Sequence, residues 1–167
     1  MLDLTHIHPM IVHFPIALLI VGFLADLIGI IIKKDFFSKA GFYLLILGTL
    51  GVIAAYISGN IAGDGVVEAG ALGKALELHE SAAVLSLWLM VGTALVRIAA
   101  LILNKYTGII KIFAFILFFI GVISIARTGY YGGELVFKHA AGVQLDLGID
   151  FNKLNNDQQL KKSDDEN

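Results

Sequence analysis

The chain has no cysteine at all and only two prolines in 167 residues. Without thiols there can be no disulfide, no thiolate metal site and no covalent haem attachment through a Cys-x-x-Cys-His motif. Any metal must therefore be held by histidine, carboxylate or backbone. Charge is scarce as well. Asp, Glu, Lys and Arg make up 16% of the residues, against about a quarter in soluble domains, and the mean hydropathy is +0.83. These values exclude a soluble domain. The net charge of −2 gives no reason to expect a nucleic-acid partner. The opening MLDLTHIHP has no cationic segment and no cleavage site, so the first apolar stretch reads as a retained helix rather than a secretory signal.

What is present is apolar sequence in four blocks: Met10 to Ile32, Phe42 to Ile61, Ala82 to Leu103 and Ile109 to Ala126. Each is near the roughly 20 residues that cross a hydrocarbon core about 30 Å thick. The expected fold is an all-α integral membrane protein, a four-transmembrane-helix bundle occupying residues 1–151. Residues 152–167 are polar and lack apolar periodicity, and read as a disordered tail. Gly132 and Gly133 mark a turn after the fourth span, followed by a short amphipathic segment, LVFKHAAGV. The glycine-rich stretch 63–77 reads as a loop whose end, KALELHE, forms a surface helix before span three.

Lysines mark the orientation. Lys33, Lys34 and Lys39 occupy the first loop and Lys105 and Lys111 the third, whereas the second holds only Lys74 among Asp64, Glu68 and Glu77. Loops one and three are expected on the cytoplasmic side of a bacterial inner membrane, with both termini outside; Arg127 and Lys138 argue weakly the other way.

That topology gathers the histidines. His6, His8 and His13 precede or open helix one, His79 opens helix three and His139 follows helix four. All five therefore lie at one face of the membrane, whichever way the protein is inserted. Pro15 is best tolerated in a first helical turn, so helix one is expected to start near Phe14 or to kink there. Its bend would direct His13. If helices one and three are diagonal, His13 and His79 face each other across the bundle, the usual way a helical bundle holds b-type haem. Arg127 suits a haem propionate, and Tyr130 and Tyr131 fit the interface. The same imidazoles, His13, His79 and His139 above all, are alternatively ligands for copper or zinc. A third reading makes them interfacial groups that finish helix ends.

Two charges lie inside the spans. Asp26 and Arg97 sit at similar depth near the other end, and an ion pair joining helices one and three is expected, with a proton relay as its alternative. Small residues recur every four positions in helix two, at Gly51, Ala55, Gly59 and Gly63. They form a ridge for helix packing or for a homo- or hetero-oligomer. No nucleophile and base constellation appears, so no hydrolytic or transferase site is expected. A redox subunit is the enzymatic reading left open.

HPMIVHFPIAL near the start, a histidine opening the third span and GGELVFKHAAGV after the fourth resemble the bacterial membrane family called domain of unknown function 2231, over about residues 6 to 148. The resemblance implies a four-helix inner-membrane protein with His8, His13, His79 and His139 at the family's histidine positions, together with Gly133 and Gly142. Ala141 stands where the family often has glycine. Members occur beside or fused to cytochrome domains, which implies redox work. From this we expect haem b between His13 and His79, and His8 and His139 as a second ligand pair or supporting donors. Quinol is the expected electron source and a periplasmic cytochrome the acceptor.

Overall fold

The structure is a computed structural model, and it describes residues 7–63, 70–141 and 143. Four helices fill them: α1 (Ile7–Ile32), α2 (Asp35–Gly63), α3 (Gly70–Ile102) and α4 (Gly108–His139). All four are long and apolar enough to cross a membrane. In hydrocarbon every backbone amide needs an internal partner, which a continuous helix supplies. At 1.5 Å per residue, α3 and α4 are about 50 Å long and project beyond a hydrocarbon core of about 30 Å. The expectations for His6, Gly142 and the tail 152–167 fall outside the described residues.

The helix ends depart from the sequence reading in three places. Helix one begins by Ile7, so of the two expectations for Pro15 the start near Phe14 is overturned and the proline lies inside the helix. Pro9, the third helical residue, forfeits nothing by lacking an N–H. Pro15 does forfeit a bond to Ile11, and its ring is packed where Gly51 lets α2 come close: a Cβ at Gly51 would stand 3.0 Å from the Pro15 Cβ. Second, KALELHE is part of α3, which runs unbroken from Gly70. Third, Gly132 and Gly133 do not turn the chain. The helix continues through them to His139 and ends at Ala140, whose φ of 50° and ψ of 31° make a left-handed cap. The Ala141 N–H then reaches back to the Leu135 carbonyl, closing the last turn.

The helices form a ring in chain order, with α4 returning to α1, so that α1 and α3 are diagonal. The tightest seam joins α1 and α2, where glycines face each other. A Cβ on Gly41 would lie 2.8 Å from the Gly22 carbonyl oxygen, one on Gly48 would lie 2.6 Å from Leu19, and one on Gly29 would lie 2.5 Å from the Ser38 hydroxyl. Such close approach maximises dispersion contact where no hydrophobic drive exists between helices in lipid. Leu19, Leu45, Val52, Met90, Phe118 and Ile125 fill the centre. Phe23 of α1 stacks on Phe115 and Phe119 of α4, at ring-centre distances of 5.1 and 5.4 Å.

At the loop-one end, Arg97 donates two hydrogen bonds to Asp26, Nη1 to Oδ2 at 2.8 Å and Nη2 to Oδ1 at 3.1 Å. Both side chains are buried. The guanidinium lies between the rings of Phe42 and Tyr106, 5.7 and 5.1 Å from their centres. One bidentate pair thus ties the diagonal helices together. Burial pushes the Tyr106 phenol up to about 12. Its hydroxyl and the Arg97 Nε are buried without a hydrogen-bond partner among the described residues.

Candidate functional site: a histidine pair across the bundle

The opposite end holds the site. His8 is the second residue of α1, and its Nδ1 lies 3.0 Å from the Ser58 hydroxyl of α2. Ser58 itself donates to the Ala55 carbonyl at 3.0 Å, which uses its only proton. With that proton on Ala55, the His8 Nδ1 is the donor and Nε2 keeps its lone pair. Ring and helix meet closely: a Cβ on Gly59 would lie 3.0 Å from the His8 Cε1.

His79, nine residues into α3, is held the same way. Its Nδ1 donates to the Thr128 carbonyl of α4 at 3.1 Å, so here too Nε2 carries the lone pair. Gly132 backs the ring, with a Cβ there lying 3.2 Å from the His79 Cε1. Thr128 is itself clasped. Its hydroxyl donates to the Ser124 carbonyl at 3.0 Å, so the Ser86 hydroxyl at 2.9 Å must donate to it. Ser86 in turn accepts from Ser124 at 2.7 Å. Three buried or half-buried hydroxyls thereby pin α3 to α4 just beneath His79.

The two rings meet. Their centres are 6.4 Å apart and their planes cross at 80°. The structure thus pairs His79 with His8 and not with His13. One helical turn and more along α1, His13 is exposed and donates Nδ1 back to the Pro9 carbonyl at 2.7 Å. His139 is the last residue of α4, at the same end of the bundle but outside this pair. Arg127 is exposed as well. Its Nε and Nη2 reach the Tyr131 hydroxyl at 3.4 and 3.3 Å, and its guanidinium lies 5.3 Å from that ring's centre. Among the described residues no group of three or more His, Asp or Glu side chains converges. The set His13, His79 and His139 is therefore not assembled there.

Ser58, Gly59, Thr128 and Gly132 escaped the sequence reading as site residues, and so did the Ser86–Ser124 clasp. The dipeptide Ser58–Gly59 is the only local hint, a polar group and a gap at adjacent positions near the end of a span. Gly59 also changes role: with Gly51 it receives α1 within the chain, so that part of the small-residue ridge is covered and does not face a partner.

Charge on the flank of α4 is paired locally. Lys138 donates to Glu134 one turn earlier, and Tyr130 donates to the same carboxylate at 3.4 Å.

Residues 5–145 match the family model of predicted membrane proteins DUF2231. The chain belongs to the DUF2231 family. The match takes in all four helices and both paired histidines. No curated protein and no solved structure matches the chain.

Proposed function

We propose that this DUF2231 protein is a membrane electron-transfer subunit that holds b-type haem between His8 and His79. The observation that carries the reading is the pair itself: two imidazoles from diagonal helices, each with Nδ1 committed to a protein acceptor and Nε2 free. A metal-ligating histidine almost always gives its other ring nitrogen to a carbonyl, carboxylate or water in this way, which fixes tautomer and ring direction. His8 and His79, with ring centres 6.4 Å apart, are the residues that would hold the group.

Two such nitrogens would suffice to hold haem, which when bound would supply one-electron exchange. The chain's own residues do the rest. Ser58 and Thr128 orient the ligands, Gly59 and Gly132 leave the rings uncrowded, and the hydroxyl clasp keeps α4 where Thr128 can reach. The electron source of this reading is a bilayer quinol, which yields two electrons and two protons as it becomes quinone. A periplasmic cytochrome accepts the electrons one at a time. With Lys33, Lys34, Lys39, Lys105 and Lys111 at the far end, the histidine end faces outward under the positive-inside rule, and the membrane is a bacterial inner membrane.

The test is the visible spectrum of detergent-purified protein, supplied with haem, before and after dithionite. Sharp reduced α and Soret bands are expected. A featureless spectrum with stoichiometric copper or zinc instead makes the pair a metal-ion site. A colourless, metal-free protein makes it a packing element.

A further inference from the structure

A groove of about 440 Å³ opens at the loop-one end, between the close of α1, the start of α2 and the start of α4. Lys33 and Lys111 line it together with Ser38 and Asp35, and Ile30, Ile112 and Phe115 supply its apolar lining. Its shape is set by the fold. Gly29 lets Ser38 approach so closely that a Cβ would lie 2.5 Å from the hydroxyl. Lys33, at φ 54°, ends α1 in a left-handed turn. The walls are amphipathic in the sense that matters at a membrane boundary. Two cations, a carboxylate and a hydroxyl line the groove beside apolar Ile30 and Ile112, which are 36% and 58% exposed.

We propose that this groove binds the phosphate of an anionic phospholipid, its acyl chains lying along Ile30, Ile112 and Phe115. Two lysines against one aspartate leave a single positive charge, which complements one phosphodiester. Basic pockets between membrane helices on the cytoplasmic side bind such headgroups, and each lysine near the surface contributes about a five-fold gain in binding. The proposal is independent of the histidine pair, which lies at the opposite end of the bundle.

Delipidated protein in a neutral detergent is titrated with phosphatidylglycerol, phosphatidylcholine or inorganic phosphate, and bound lipid is counted by native mass spectrometry. One phosphatidylglycerol per chain is expected, in preference to phosphatidylcholine. The Lys33→Gln/Lys111→Gln variant loses affinity roughly thirty-fold. Lys34→Gln/Lys39→Gln, which removes equal charge from the same loop end outside the groove, and Lys33→Arg/Lys111→Arg both keep binding within a few-fold. If the glutamine variant is too unstable to titrate, the comparison of the arginine and the Lys34/Lys39 variants with wild type carries the test. Equal binding of phosphatidylcholine, or equal loss in the Lys34/Lys39 variant, overturns the proposal. Competition by inorganic phosphate at lipid-like concentrations makes the groove a free-anion site and overturns the lipid assignment.

Discussion

The imidazoles of His8 and His79 stand 6.4 Å apart at 80°, although they belong to helices that touch only through side chains across the bundle. Each ring is secured by a neighbouring helix rather than by its own: His8 by Ser58 of α2, His79 by Thr128 of α4. All four helices therefore contribute to one pair. Removing a support should act on the ligand without removing it. Ser58→Ala leaves the His8 Nδ1 without its partner and is expected to weaken haem retention about 10- to 100-fold, the usual cost of losing such a support. Haem titration of the apoprotein checks this.

The clasp beneath His79 has a consequence for stability. Ser86 is the link between Ser124 and Thr128. Ser86→Ala leaves the Ser124 hydroxyl without its acceptor, while Thr128 keeps its bond to the Ser124 carbonyl, and is expected to cost about 1–3 kcal/mol. Thermal unfolding in detergent measures it.

Asp26 and Arg97 hold the other end, and here the direction of each substitution differs. Asp26→Asn leaves a buried guanidinium without its anion and is expected to destabilise by about 3–5 kcal/mol. Tyr106→Phe removes a buried hydroxyl that has no partner among the described residues, so it should be neutral or stabilising. Unfolding midpoints of the two variants, measured side by side, distinguish a bracing ion pair from one kept for proton transfer alone.

Glycines that look equivalent in the sequence should respond differently. At Gly41 a methyl would meet the backbone carbonyl of Gly22 at 2.8 Å, and neither helix can yield without opening the α1–α2 seam. Gly41→Ala is expected to cost about 1–3 kcal/mol. At Gly121 the obstacle is the flexible tip of Met90, which an added methyl would meet at 2.6 Å, and Met repacks readily. Gly121→Ala should cost much less, as unfolding in detergent would show.

Four spans, their all-α class and the gathering of histidines at one face were legible because each depends on hydropathy and on chain order alone. The pairing was not. A start or kink of helix one near Pro15 pointed to His13 as the inward ligand, whereas α1 begins by Ile7 and it is His8 that meets His79 of α3. A helical face cannot be read without the register of its start. Gly132 and Gly133 misled for a related reason: in lipid a continuous helix satisfies every amide, so two glycines do not end it. The seam of Gly22, Gly29, Gly41 and Gly48 was present as a seven-residue spacing on both helices, but which helix it faced required the packed structure.

Orientation is open to a direct experiment because the chain is free of cysteine. Cysteine introduced at Lys74 or Lys138 should react with an impermeant maleimide in intact cells, and at Lys34 or Lys105 only after permeabilisation. The opposite pattern places the histidine pair inside.

Haem ligation by His8 and His79 stands or falls on reduced-minus-oxidised spectra of haem-loaded His8→Ala, His79→Ala and His13→Ala proteins, each checked for wild-type helicity. The first two are expected to lose the α and Soret bands while His13→Ala keeps them. Bands that survive loss of both His8 and His79, or that vanish only with His13, would contradict the assignment.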